Sequence, residues 1–354
     1  MSGSDSDQVR QTVLGAFAKQ IGWCESLGSP FTARLLTILR DDIADGGASE
    51  ELVRAWPGDP VAGALPLRIA GTLHALRLTE SAPALVPCYP PSPTSMAQMR
   101  IVVLGAVQEH QSAIRTFLSS APQTNEVGRS GVLIGGFLQI AKETGLPLRL
   151  LEIGASAGLN AIWDRYHYHL GAAGWGDPHS AVRIAPTWEG PPPPIDAPLQ
   201  VIERHACDIA PIDLGDPAQR LRLRAYVWAD QRERLSRLES AIDLARSYGP
   251  RVEQADAADW VKAKLREPAA GRATVLYHSI MWQYLPAETQ ADIRASLERA
   301  GDRATPAAPL AWLRFEPLRL DSQPELRMTL WPGAREVLLA VAHPHGSRVR
   351  WSSQ

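Results

Sequence analysis

A short glycine-rich segment, Gly154-Ala-Ser156-Ala-Gly158, follows an apolar run at residues 148–153 and precedes a stretch of helical character. Between a strand and a helix, a turn of this composition binds a ligand or carries a nucleophile in many α/β proteins. The five residues match the G-x-S-x-G pattern of a hydrolase nucleophile elbow. They also match a glycine loop that binds a nucleotide-like cofactor, with the acid Glu152 leading into it.

In the hydrolase interpretation, Ser156 is the nucleophile, Asp208 or Asp256 is the acid, and His278 or His343 is the base. An α/β-hydrolase elbow, however, follows several strands that already form the sheet. This serine follows the first predicted strand of the chain. Its position therefore favours the cofactor interpretation, and the hydrolase and a tight turn without any ligand remain as alternatives.

The cofactor interpretation assigns roles to acids at the ends of later strands. Gly154 and Gly158 let the backbone approach a ligand closely, and the N-terminus of the following helix adds amide donors. The acid that binds ribose is then Asp208, which follows a predicted strand, or Asp230, which lies on or between predicted helices. We prefer Asp208 for this reason. Asp256, at the end of the third predicted strand, is placed to hold an adenine amino group.

These motifs need a sheet to position them, and the hydropathy pattern changes at residue 148. Residues 1–122 show helical periodicity without strand alternation, which predicts an all-helical N-terminal domain. Beyond them, short apolar segments alternate with helical ones, which predicts an α/β domain over 123–354 with a mostly parallel sheet. The predicted strands are 148–153, 199–203, 251–255, 274–281, 310–315, 325–331 and 335–342, and the main helices are 218–247 and 286–300.

Two connections in this domain are unusual. The last two predicted strands are joined only by residues 332–334, so we expect an antiparallel hairpin at the end of the sheet. The segment 171–198 is rich in glycine and proline and is interpreted as an insertion or lid.

Composition excludes several classes of protein. The chain has 354 residues and a formal net charge of −2, so its bulk charge does not indicate nucleic-acid binding. Its three cysteines are far apart, which suits a reducing cytoplasm. No apolar run approaches the roughly 18 residues of a membrane span. The histidines at 167–169 and 343–345 lack a nearby acid or cysteine to complete a metal site. We therefore expect a cytoplasmic protein without a metal, membrane or nucleic-acid partner.

Several segments, in order, resemble one bacterial family known as domain of unknown function 2332. They are QTNEVGRS at 123–130, LLEIGASAGLN at 150–160, DRYHY at 164–168 and RHACDIAPID at 204–213. This resemblance covers nearly the whole chain but implies no reaction.

The C-terminal region is further similar to class I S-adenosylmethionine-dependent methyltransferases. Glu152, Gly154, Ser156 and Gly158 stand at the first motif of that superfamily, and Asp256 stands at its adenine-contacting acid. VLYHSIMWQYLP at 275–286 looks like its fourth-strand motif, and the terminal hairpin resembles its signature strand pair. The similarity implies a Rossmann-like methyltransferase sheet, S-adenosylmethionine as cofactor and an unidentified small-molecule acceptor.

Within this resemblance, His278, Ser279 and Tyr284 are the candidate catalytic residues. His278 and Ser279 end the fourth strand, where they would face the transferred methyl group, and a histidine there can act as a base near neutral pH. The alternative for His278 is a histidine satisfied inside the core. Tyr284 either lines the same pocket or packs on the following helix.

Further candidate cofactor ligands lie on both sides of the first strand. Asn125, Glu126 and Arg129 stand at the start of the helix before it, and Arg129 is suited to a bidentate contact with a carboxylate of the cofactor. A helix cap with a surface ion pair is the alternative. Asn160, just after the glycine turn, is expected to touch the ligand. The sequence thus predicts a methyltransferase, with a non-catalytic cofactor-binding protein and a serine hydrolase as alternatives.

Overall fold

The computed structural model describes residues 3–319 and 322–352, with side chains from residue 7 onward. These residues form two compact units. The helical unit comprises the described residues up to Thr124 together with Asp216–Ser236. The sheet unit comprises Asn125–Gly215 together with the described residues from Arg237 onward. The sequence placed a boundary between 122 and 123 but did not indicate that 216–236 belongs with the N-terminal helices.

Helices make up the described chain up to the first strand. The apolar faces of the N-terminal helices form the core of the helical unit, where Phe17, Leu39 and Leu73 are fully buried. The α-helices of the described residues are α1 (Gly3–Ser26), α2 (Pro30–Ala44), α3 (Ala48–Val53), α4 (Leu65–Leu78), α5 (Met96–Glu109), α6 (Gln111–Leu118), α7 (Ser130–Thr144), α8 (Pro217–Ala225), α9 (Arg232–Tyr248), α10 (Ala257–Lys264) and α11 (Ala287–Gly301).

The prediction of one helix over 218–247 is wrong, because α8 and α9 are separated by a turn that contains Asp230. The Asp230 carboxylate accepts hydrogen bonds from the Phe31 amide (2.8 Å) and the Ser29 hydroxyl. These groups lie at the start of α2, whose first amides have no partner within the helix. Asp230 is therefore a cap of α2 within the helical unit.

The sheet unit is built on a nine-stranded sheet with the order β5-β12-β11-β10-β9-β8-β1-β6-β7. Strands β7, β6, β1, β8 and β9 run parallel to one another, and β10, β11 and β12 continue the sheet antiparallel. The strands are β1 (Leu148–Ile153), β2 (His167–Leu170), β3 (Ala173–Gly176), β4 (Arg183–Ile184), β5 (Thr187–Glu189), β6 (Val201–Asp208), β7 (Val252–Gln254), β8 (Ala273–Ser279), β9 (Leu310–Pro317), β10 (Pro324–Trp331), β11 (Arg335–Ala342) and β12 (Arg348–Trp351). The prediction of a mixed α/β fold with a large, mostly parallel sheet is confirmed.

Alternating side chains of the central strands pack against helices on both faces of this sheet. The Tyr277 ring of β8 meets Phe137 of α7 edge-on, with ring centroids 5.0 Å apart. Leu276, one residue earlier on β8, lies in the core cluster that contains Leu297 of α11. None of the described helices has the length and apolar character needed to cross a membrane.

The glycine- and proline-rich segment 171–198 is more regular than the sequence indicates. β3 and β4 pair with β2 in a separate three-stranded sheet. β5 pairs in parallel with β12, a short strand that the sequence analysis did not predict, and so joins the main sheet.

Candidate functional site

The carboxyl ends of the parallel strands meet at one edge of the sheet. β1 lies between β6 and β8, and the chain runs from β1 to β6 and β7 before it returns to β8 and β9. Such a reversal of strand order opens a crevice at the carboxyl ends, where open α/β sheets bind ligands. In the register of the sheet, Ile153 pairs with Cys207 of β6 and Glu152 pairs with Tyr277 of β8. The glycine turn therefore leaves the sheet at this reversal.

The turn has a strained, well-anchored backbone. Gly154, Ser156 and Gly158 have φ values of +65°, +54° and +72°. This left-handed region is unfavourable for a residue with a Cβ, such as the serine. The Ser156 amide donates to Asp208 Oδ2 (2.8 Å), and the Ser156 carbonyl accepts from the Ile212 amide (3.1 Å). The segment after β6 therefore holds Ser156 in place.

The two glycines are required by the packing of the protein itself. A Cβ on Gly154 would lie 2.8 Å from side-chain atoms of Met281, and a Cβ on Gly158 would lie 3.0 Å from the Val252 side chain. Such distances are too short for carbon atoms in van der Waals contact. These glycines are thus explained without a ligand, and evidence for a binding site has to come from other atoms.

Two buried polar atoms of the turn provide such evidence. Ser156 Oγ and Asn160 Oδ1 have no hydrogen-bond partner among the described residues, although these residues are only 4% and 1% exposed. Buried polar atoms of native proteins are nearly always paired, because each unpaired atom costs about 1–3 kcal/mol. At the turn, a hydroxyl and an amide carbonyl therefore have hydrogen-bonding capacity that the described residues do not use.

The same serine lacks the partners of a hydrolytic nucleophile. Asp208 accepts from the backbone amide of Ser156, and none of the described histidines contacts the hydroxyl. His343 Nδ1 accepts from the His345 amide (3.1 Å), and His278 is engaged elsewhere, as described below. The predicted hydrolase triad is thus not assembled in this structure.

Glu152 is buried beside the turn. The Tyr277 hydroxyl lies 3.2 Å from Glu152 Oε2 and 3.3 Å from the Asn160 carbonyl oxygen, so it can donate to either. Burial raises the pKa of the Glu152 carboxyl to about 8, with a smaller lowering by the Tyr277 hydrogen bond and a further raising by the charge of Asp208. The carboxyl is therefore mostly protonated at neutral pH.

The segment before α7, which contains the candidate residues Asn125 and Glu126, lies against the glycine turn. Asn125 Oδ1 accepts from the Leu159 amide (2.9 Å), and Asn160 Nδ2 donates to the Glu126 carbonyl (3.2 Å). The Glu126 carboxylate accepts from the Gly128 amide (2.9 Å), as a helix cap does. The structure thus brings Asn125, Glu126 and Asn160 together, and their hydrogen bonds brace the glycine turn.

Arg129 is part of the same brace. Its Nε donates to the Pro344 carbonyl and its Nη1 donates to the Ser279 carbonyl, both at 3.1 Å. The guanidinium therefore joins the start of α7, the end of β8 and the loop before β12. The contact that the sequence predicts, with a cofactor carboxylate, is not needed to explain this position.

His278 does not have the geometry of a base that is open to a substrate. It is 1% exposed, its Nδ1 lies 2.7 Å from Glu316 Oε1, and Trp312 Nε1 donates to its Nε2 at 3.1 Å. Because an indole N–H only donates, Nε2 accepts and Nδ1 carries the proton that bonds Glu316. His278 is thus satisfied inside the protein, which was the alternative interpretation. Tyr284 is 75% exposed and lines no buried pocket.

Glu316 is a residue of this edge that the sequence analysis missed. Its Oε1 accepts from the Met281 and Trp282 amides (3.1 and 3.4 Å) as well as from His278, whereas its Oε2 is buried without a partner among the described residues. Glu316 lies near the end of β9, directly after the predicted strand 310–315. An acid that directly follows a buried apolar strand is the signal by which it could have been found.

Asp208 and Asp256 follow the adjacent strands β6 and β7. Asp208 Oδ1 accepts from the Ala210 amide (2.9 Å), and Asp256 Oδ1 accepts from the Ala258 amide (2.8 Å) at the start of α10. A carboxylate oxygen has two lone pairs, so both groups keep capacity to accept from a ligand. Ile209, next to Asp208, is 70% exposed. Within residues 3–319 and 322–352, no three His, Cys, Asp or Glu side chains are grouped as metal ligands.

Comparison with known proteins places the chain in a family without assigning an activity. No curated protein and no solved structure matches it. Residues 15–351 match the model of a family described as an uncharacterized protein conserved in bacteria, DUF2332. The match includes the glycine turn, the acids at the strand ends and most of the helical unit. The chain belongs to this bacterial family.

Proposed function

We propose that the protein binds S-adenosylmethionine at the glycine turn and transfers its methyl group to a small-molecule acceptor. The observation that carries the proposal is a set of acceptor groups at the carboxyl edge, formed by Asn160 Oδ1, Asp208 and Asp256, beside the unpartnered Ser156 hydroxyl. S-adenosylmethionine presents an ammonium group, a ribose diol and an adenine amino group, which are all donors. The acceptors of the protein thus match the donors of the cofactor.

Each acceptor has a role in this proposal. Asn160 Oδ1 binds the ammonium group, the remaining lone pairs of Asp208 bind the ribose hydroxyls, and Asp256 binds the adenine amino group. The exposed Ile209 side chain gives the adenine ring an apolar surface to cover. When bound, the cofactor supplies an activated methyl group, and the chain contributes mainly by aligning the acceptor with it.

The hydrogen bonds of His278 to Glu316 and Trp312 favour a second proposal, in which the protein binds the cofactor without transferring the methyl group. Both ring nitrogens of His278 are used by Glu316 and Trp312, so no histidine base is offered at the end of β8. Methyl transfer depends more on alignment than on a base, and for this reason we rank transfer first.

Calorimetric titration with S-adenosylmethionine tests both proposals. We expect Asp208→Asn, which keeps one acceptor oxygen but removes the charge, to weaken binding by about tenfold or more, because a charge-assisted hydrogen bond is worth about 1.5–3 kcal/mol. Asp177→Asn is the matched control, since Asp177 is an exposed acid in the insertion that also accepts a backbone amide, from His179. Both proposals are overturned if the titration gives no heat of binding and millimolar cofactor causes no shift in Tm.

A second measurement separates the two. Methyl-labelled cofactor is incubated with the protein and a bacterial small-molecule extract, and S-adenosylhomocysteine is quantified. Release that depends on the extract and is lost in Asp208→Asn supports methyl transfer. If the wild type binds the cofactor tightly but releases no more S-adenosylhomocysteine than Asp208→Asn does, the result supports binding of the cofactor without methyl transfer.

A further inference from the structure

The sheet unit has a charged cavity away from the glycine turn. It is shallow and open to solvent, has a volume of about 530 Å³, and lies beside Arg149, near the start of β1, and Arg272, just before β8. Pockets for small ligands span about 300–1,000 Å³, so its size suits a small molecule. The charged side chains that line it are those of Arg149, Lys264, Arg266, Arg272, Glu203 and Glu267.

The negative charge of Glu203 is largely compensated by its neighbours. Its carboxylate lies 3.1 Å from Arg149 Nε, 2.7 Å from Arg272 Nη1 and 2.6 Å from His205 Nε2. The lining has four cationic and two acidic side chains, and Glu253 pairs with Lys264 beside it, so the cavity carries a small excess of positive charge. A cleft with a net positive charge attracts anions, although less strongly than a cleft lined by cations alone.

Donors for an anion remain on two of the arginines. Arg272 uses Nη1 for Glu203, and the guanidinium of Arg266 makes no hydrogen bond to any described side chain or carbonyl. Arg149 is held by Glu203 and by the Lys264 carbonyl, and Lys264 by Glu253, so these two contribute charge from fixed positions. The planar fork of a guanidinium matches the oxygens of a phosphate or carboxylate.

We propose that this cavity binds a small organic anion with a phosphate or carboxylate group, through Arg266 and Arg272. Arg149 lies near the start of β1 and Gly154 directly follows its end, five residues later, a separation of about 17 Å at the rise of a β-strand. An anion in the cavity therefore cannot contact a ligand's reacting atoms at the glycine turn. It occupies a second site, and its binding is independent of the proposed methyl transfer.

The test uses the full chain without S-adenosylmethionine, with inorganic phosphate and malonate as separate probes at constant ionic strength. We measure binding by calorimetry and by the shift in Tm. Arg266→Gln removes a side chain without a partner, so it should fold normally and weaken binding about tenfold or more. Arg272→Gln should weaken binding similarly. Arg348→Gln, an exposed arginine of β12, is the matched control and should bind as the wild type does.

The probes also distinguish the class of ligand. Stronger binding of phosphate indicates a phosphorylated ligand, and stronger binding of malonate indicates a carboxylate. The proposal is overturned if neither anion binds at ten-millimolar concentration, or if Arg266→Gln binds both as tightly as Arg348→Gln does. It is also overturned if an oligonucleotide binds with an affinity that rises with its length, since that describes a surface for a polyanion.

Discussion

Replacing Ser156 with glycine is expected to stabilise the ligand-free protein and to weaken its binding of S-adenosylmethionine. Ser156 has a φ of +54° and a buried hydroxyl without a partner among the described residues. Glycine removes both costs, because it adopts positive φ readily and has no side chain to satisfy. If the hydroxyl is there to meet a ligand, the same change removes a contact from the complex.

The structure sets the size of the effect. A left-handed backbone costs a residue with a Cβ about 1–2 kcal/mol, and the greater freedom of glycine in the unfolded chain offsets about 0.5–1 kcal/mol of the gain. The unpaired hydroxyl costs about 1–3 kcal/mol. The free energy of unfolding should therefore rise by about 1–4 kcal/mol. In a unit of about 200 residues, each 1 kcal/mol shifts Tm by about 2–4 °C.

Ala334→Gly is the matched control. Ala334 lies in the turn between β10 and β11 with a φ of +50°, so its replacement relieves the backbone alone. Thermal unfolding should show a larger gain for Ser156→Gly than for Ala334→Gly, and calorimetry should show weaker cofactor binding only for Ser156→Gly. A Ser156→Gly variant that is less stable than the wild type, or that binds the cofactor equally well, would refute this reasoning.

Four other changes have definite expected outcomes. Asp208→Ala should lower Tm as well as cofactor affinity, since the partly buried Ser156 amide loses its acceptor at a cost of roughly 1–3 kcal/mol, whereas the exposed Ala210 amide can bond water instead. Asp230→Ala should lower the free energy of unfolding by about 0.5–2 kcal/mol for a lost cap, and Tm with it, while calorimetry shows unchanged cofactor affinity. Glu152→Gln should flatten the pH dependence of stability. The Glu152 carboxyl has a folded-state pKa of about 8, above its unfolded value, so the folded wild type holds a proton that the unfolded chain has released. The free energy of unfolding of the wild type therefore falls as pH rises towards 8, by up to about 1.4 kcal/mol per pH unit. Gly154→Ala should lower Tm because its Cβ meets Met281, and adding Met281→Ala should restore part of the loss.

Local patterns were sufficient to predict the centre of the sheet unit. β1 and β8 are continuous apolar segments bounded by turn residues, and their predicted positions agree with the structure to within two residues. The prediction of the antiparallel hairpin of β10 and β11 followed from the short link between them. The predicted strand 199–203 covers only the first part of β6, and Asp208, which the sequence analysis placed after that strand, is the last residue of β6.

Features that depend on contacts between residues far apart in the chain could not be predicted from local patterns. The helical periodicity of 218–247 continues across the turn at Asp230, and only the contact of Asp230 with Phe31 shows why the helix is interrupted. The strands of the insertion are short and hold few apolar residues, so they have no periodic signal. The engagement of His278 depends on Trp312 and Glu316, which are 34 and 38 residues further along the chain.

His278 is linked through Glu316 to the loop that packs against the glycine turn after β1. His278 bonds Glu316, and the same carboxylate oxygen accepts the amides of Met281 and Trp282. Those bonds fix the loop after β8, in which Ile280 has a φ of +49°, a conformation that a β-branched residue rarely adopts. The loop sets the Met281 side chain against Gly154. The His278–Glu316 pair is therefore connected to the glycine turn through the loop that it holds.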